Sequence, residues 1–164
     1  MVVINITRTM VIDKRTRSWC RLPYPGHPDG CPNYGDPGHI HCPPTVGHVG
    51  DFIDIARPHW FVVLSFNLAA HAAGLKKKHP NWSDRQCRCC LYWQGTVRKQ
   101  LGIDTIAFMI DKPGTVSTMI PEAMGVNVFR TCHRHGIMLR KNPQNIVYKV
   151  ALVGYGKGNN NAKC

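Results

Sequence analysis

Polar and apolar positions along the chain divide it into a small number of elements. Val, Ile and Phe concentrate in four segments, 2–12, 60–66, 105–110 and 146–153, and each is predicted as a strand. Three helices are predicted between them. The Ala-rich stretch 68–78 ends in three lysines before His79 and Pro80, which suits a helix C-terminus with a proline stop. Ser83 followed by Asp84 reads as an N-cap that opens a helix running to Leu101, just before Gly102. A third helix is predicted over 126–135, closed by Gly136. The stretch from Pro121 to Val128 also reads as a Pro-initiated helical turn ended by Gly125, with Met124 and Val128 in the core. Together these elements predict an α+β fold: a small mixed sheet with flanking helices.

One segment breaks the pattern. Residues 19–50 hold seven of the chain's twelve prolines and four histidines, with almost no aliphatic residues. A structureless loop of this length is unusual in a compact domain unless it has a function that orders it. Three cysteines lie inside it, and a bound metal would tie it down. The organisation expected is one metal-binding domain over 1–153, with 19–50 as its cysteine- and proline-rich loop, and a Gly/Asn/Lys-rich polar tail over 154–164.

Composition changes the picture in two ways. A chain of 164 residues buries enough apolar surface to fold without a metal or disulfide staple, so a cofactor here is expected to be functional. The surplus of 21 Lys and Arg over 9 acids gives a net charge of +12, which predicts attraction to polyanions such as nucleic acid. The cations cluster at Lys14, Arg15, Arg17 and Arg21, at Lys76–Lys78, and at Arg130, Arg134, Arg140 and Lys141. No stretch is apolar enough to span a membrane and the first residues do not read as a leader peptide, so a cytoplasmic location is expected. In a reducing compartment eight cysteines are thiols or metal ligands rather than disulfides.

Cys20, Cys31 and Cys42 are evenly separated as Cys-x10-Cys-x10-Cys, and the later two are followed by Pro32 and by Pro43-Pro44. Proline after a ligand turns the backbone away from the metal, and a Cys-Pro ending also closes bacterial ferredoxin cluster runs. Structural zinc sites take their ligands in close pairs, which these cysteines lack, although His39, His41 and Cys42 offer one mixed pair. Widely spaced single cysteines suit a 4Fe-4S cubane better than a single small ion, so zinc is the alternative cofactor.

Full thiolate ligation of such a cluster needs a fourth cysteine. On the predicted helix, about 100° of rotation per residue places Cys90, Trp93, Val97 and Leu101 in one apolar stripe. Cys90 is therefore the favoured fourth ligand, with Cys89, Cys87 and Cys132 as alternatives; Cys164 ends the polar tail. Trp19, Tyr34, Tyr92 and Trp93 are expected near the cluster, where their rings would shield it from water. Glu122, the chain's one glutamate, is expected to bond a backbone loop, neutralise an arginine or act as a general base.

The segment Cys31-Pro32-Asn33-Tyr34-Gly35 through Cys42-Pro43-Pro44, with Pro121 to Val128 and Thr131 to Ile137, resembles a domain-of-unknown-function family of predicted metal-binding proteins. That family carries an N-terminal Cys, then Cys-Pro-x-Tyr-Gly, Cys-Pro-Pro and a later Glu-Ala-x-Gly. The resemblance implies Cys20, Cys31 and Cys42 as metal ligands, of an iron-sulfur cluster, and carries no established reaction. Longer members have a Cys-x-x-Cys type segment where this chain has Ser83 to Cys90, which makes it look like a short variant.

The function expected is thus an iron-sulfur protein, a redox or cluster-dependent enzyme component with a redox partner. The alternative is a zinc-stabilised, non-catalytic module with weak affinity for nucleic acid. No phosphate loop, dinucleotide fingerprint, paired-carboxylate motif or Ser/His/Asp order stands out, so hydrolase and nucleotide-dependent readings lack support.

Overall fold

The computed structural model describes residues 1–23 and 27–158. An α+β fold is built on one antiparallel sheet of four strands: β1 (Val2–Asn5), β2 (His59–Asn67), β3 (Thr115–Thr118) and β4 (Ile146–Tyr155). Their order across the sheet is β1-β2-β4-β3, and every pairing is antiparallel, so the mixed sheet expected from the sequence is not formed. The central hairpin-like pair aligns Phe61 with Leu152 and Val63 with Val150 over the whole length of β2. The helices are α1 (Val49–Phe52), α2 (Leu68–Lys78), α3 (Asp84–Cys87), α4 (Gln94–Met109) and α5 (Val128–His133).

Alternation along β2 and β4 sends successive side chains to opposite faces. Val62, Ala151 and Val153 meet Leu101 of α4 on one face, and Val147 joins Leu68, Trp93 and Val97 beside them. On the other face Phe61, Val63, Val150 and Leu152 pack with Ile6, Val49, Ile53, Met124, Val126, Val128 and Cys132. Few of those partners lie in long helices. They come from the N-terminal segment, the end of the cysteine loop and the 121–133 stretch, and Val46 and Val49 anchor the end of that loop on this face.

Several elements form as their residues dictate. Helix α2 occupies the predicted span and opens on Asn67, whose side-chain oxygen accepts from the amide of Ala70. Ser83 caps α3 in a reciprocal box with Gln86. Pro121–Met124 form a 3-10 turn closed by Gly125 in the left-handed region, with Met124 and Val128 buried.

Four readings need correction. The helix expected over 83–101 is broken: α3 stops at Cys87, a 3-10 turn spans Cys90–Tyr92, and α4 starts afresh at Gln94. Arg88 follows the end of α3, its guanidinium held by Asp84 at 2.8 Å and by the carbonyl of Gln144. Residues 105–110 are no strand, because α4 runs through Gly102 to Met109 and the Thr105 hydroxyl donates to the Leu101 carbonyl within it. The N-terminal strand ends at Asn5, although Ile6 stays buried. The tail expected from residue 154 is still sheet there: Gly154 is paired with His59 and Val116, and Gly156 bridges Ile53. Residues 159–164, including Cys164, lie outside the described residues. Among the described residues no helix is long and apolar enough to cross a membrane.

Candidate functional site

The cysteine loop is built from three turns that are bonded to one another. The first is a 3-10 turn, Lys14–Arg21, which carries Cys20 near its end. Asp13 caps it by accepting from the amide of Arg15, and the Arg15 guanidinium returns two bonds of 2.9 Å to the same carboxylate. Those bonds hold the Asp13 carboxyl below its ordinary range. The buried Thr16 hydroxyl donates to the Glu122 carbonyl at 3.1 Å, and the amide of Asp13 donates to the Gly125 carbonyl. Cys20 is thereby seated against the Pro121–Met124 turn.

The second turn joins the first through the backbone, where the amide of Cys31 donates to the Cys20 carbonyl at 2.6 Å. Gly30 makes this approach feasible. Its φ is +89°, and a Cβ there would lie 2.7 Å from the Cα of Arg21 and closer still to the Cys20 carbonyl. The third turn joins the second through the amide of Gly35, which donates to the Pro43 carbonyl at 2.9 Å, next to Cys42. The circuit closes through Arg17, whose guanidinium donates to the carbonyls of Pro44, Val46 and Gly47 at 3.0, 2.7 and 3.1 Å. Each turn is thus tied to the next, and one cysteine rides on each.

All three thiols are half-buried. The Cys20 thiol is pushed above its ordinary range, first by burial, then by the negative charges of Cys31 and Cys42, and last by Glu122. Burial and the two neighbouring thiols thus both favour the protonated form of Cys20 in the absence of a cation. Among the described residues no three His, Cys, Asp or Glu side chains stand together in an arrangement that could hold a metal ion. His39, half of the mixed pair considered for zinc, is bonded to Asp36 at 2.8 Å, and that contact together with the Gly38 amide holds the Asp36 carboxyl low.

The chain finds no match among protein-family models, curated proteins or solved structures. Function must then be argued from the residues.

Of the cysteines weighed as a fourth ligand, Cys90 is exposed on the Cys90–Tyr92 turn, Cys89 is half-buried and Cys87 is buried. The apolar stripe that favoured Cys90 does not exist, because the helix is interrupted between Cys87 and Gln94 and only Trp93, Val97 and Leu101 face inward. Cys132 is fully buried in the core, and burial, with the Glu122 charge behind it, pushes its thiol up to about 12. It is a protonated core thiol at neutral pH.

Glu122 is the third charged group that acts on Cys20, and its own carboxyl is pushed up by burial against the pull of its backbone bond and Lys149. Lys149 is pushed down by burial and by Arg98, against the pull of Glu122 and Cys90. Both members of the pair are shifted towards neutrality, so burial outweighs their attraction. Sequence reasoning singled out Glu122 but not Lys149, whose place on β4 gives no sign of that partner. It also assigned Arg17 to a basic patch, whereas Arg17 clamps the loop. The rings expected around a cluster are divided: Trp19 meets Phe129 edge-on and Tyr34 lies under Arg21, but Tyr92 stacks on Trp82 and Trp93 on Phe66.

Proposed function

We propose that this protein binds an iron-sulfur cluster of the 4Fe-4S type through Cys20, Cys31 and Cys42. The observation that carries the reading is the closed circuit of bonds among the three cysteine-bearing turns: Cys31 to Cys20, Gly35 to Pro43, and Arg17 to Pro44, Val46 and Gly47. A chain that needed only a covered sheet would not have to tie to one another three turns that each carry a half-buried thiol. Three soft sulfurs are the donor chemistry such a cluster takes, but among the described residues they do not stand together as a metal site, so binding has to draw the turns closer.

Two groups compete for the remaining coordination position. Glu122 is seated beside Cys20 by the packing of its turn, and Cys90 stands on an exposed turn near Lys149. A bound cluster supplies electron transfer or, at an iron the chain leaves open, Lewis acidity. The chain's part is to bind it, through Arg17 and Gly30 to hold the turns that present the thiolates, and through Glu122 and Lys149 to set the charge beside them.

Gly30 offers the test. Gly30→Ala forces the Cys20 and Cys31 turns apart, whereas Gly35→Ala adds a methyl group that meets nothing within 4 Å. Gly30→Ala is expected to lose most of its iron, and Gly35→Ala, despite a similar positive φ, to keep it. Equal iron in both variants would remove the turn circuit from the account.

A further inference from the structure

A second surface lies apart from the cysteine loop. At the end of α2 the imidazole of His79 stacks on Trp82 with centroids 4.1 Å apart and planes 12° from parallel, and Trp82 stacks in turn on Tyr92 at 5.1 Å and 29°. These rings belong to none of the buried clusters among the described residues. His79 is exposed, and Tyr92, at 49% exposure, leaves the outer end of the ladder open to solvent. The rings cover one another, and the ladder's exposed end presents a ring face on which a further flat group can stack.

The charge around the ladder points to that group's chemistry. Lys76, Lys77 and Lys78 are exposed immediately before His79, and Lys76 is also bonded to the Trp82 carbonyl. Beside Tyr92 opens a groove of about 850 Å³ whose lining includes Arg85, Arg88, Lys141, Cys90 and Trp93. The one acid on the groove, Asp84, is paired with Arg88. Cys90 and Trp93 of its lining flank Tyr92 in the chain, so a cationic groove and an aromatic face lie close enough to offer phosphates a track and a base a stacking surface.

We propose that this surface binds single-stranded nucleic acid, with a base stacked on Tyr92 and phosphates along Lys77, Lys78, Arg85 and Lys141. Bases within a duplex are already stacked on each other, so the ladder discriminates against double strands, which a merely basic surface would not. None of its cations lies in the 19–50 loop, and of the candidate cluster ligands only Cys90 and Cys89 line the groove.

The experiment is fluorescence polarisation at low salt with labelled oligothymidylate, oligouridylate and a mixed-sequence duplex, using the full chain. One or both single strands should bind at least about tenfold more tightly than the duplex, and the tighter of the two identifies DNA or RNA as the natural source. Tyr92→Ala should weaken single-strand binding about tenfold, and Tyr92→Phe, which keeps the ring, should not. Lys77→Gln with Lys78→Gln should lower the slope of log affinity against log salt. No binding at low salt, equal affinity for duplex and single strand, or an unchanged affinity in Tyr92→Ala would each overturn the proposal.

Discussion

Serine in place of Cys20, Cys31 or Cys42 is expected to reduce bound iron to background or leave a degraded cluster. Each substitution exchanges a soft thiolate for a hydroxyl that stays protonated at neutral pH and is a poor iron ligand. The fold should survive, because none of the three side chains belongs to the buried clusters and the turns are held by backbone bonds and Arg17 rather than by sulfur. Iron analysis alongside circular dichroism checks this: full iron in any one of the three serine variants would remove that residue from the ligand set. The same measurement on Cys90→Ser assigns the fourth position. Loss of cluster supports Cys90 there, and retention removes Cys90 and leaves Glu122, another of the cysteines or an open iron.

Phe61→Ala should have the largest effect on stability. Phe61 is fully buried on β2, paired with Ile4 and Leu152, and is part of the cluster that anchors the end of the cysteine loop. Truncating a buried phenylalanine costs about 3–5 kcal/mol in transfer free energy and cavity formation. That is a large share of the roughly 5–15 kcal/mol by which a domain is stable. Urea denaturation should show the midpoint falling steeply. A loss below about 1 kcal/mol would mean that Phe61 does not fill the core as described.

The parts of the fold that were legible in the sequence are those whose signals are local. The Ser83 cap, the lysine-rich end of α2 and the Pro121 to Gly125 turn are each decided within a few residues, and they form where expected. The runs 60–66 and 146–153 were legible as strands because both faces of β2 and β4 are covered. Residues 105–110 misled because α4 carries apolar side chains on its outer face as well: Ile103, Ile106 and Ile110 are exposed, which blurs the helical period into a run. Gly102 looked like a stop but serves close packing, with the Met119 methyl where a Cβ would press. Strand β3 escaped notice although Thr115–Thr118 are β-branched or small residues placed after Pro113 and Gly114.

In the site, spacing and prolines pointed to Cys20, Cys31 and Cys42 as a set, whereas the bonds that unite their turns depend on contacts across many residues. Arg17 reaches Val46, and Thr16 reaches Glu122, and no local pattern encodes either. The choice of Cys90 rested on an uninterrupted helix. Arg88 at the break is bonded to Gln144, far along the chain, a contact that helical periodicity has no means of encoding.

The central claim is tested most directly by the iron, acid-labile sulfide and zinc content of protein purified without oxygen. The account predicts brown protein with iron and sulfide in near-equal amounts, approaching one cluster per chain, and little zinc. Stoichiometric zinc without sulfide, or neither metal in protein that is folded, would contradict it.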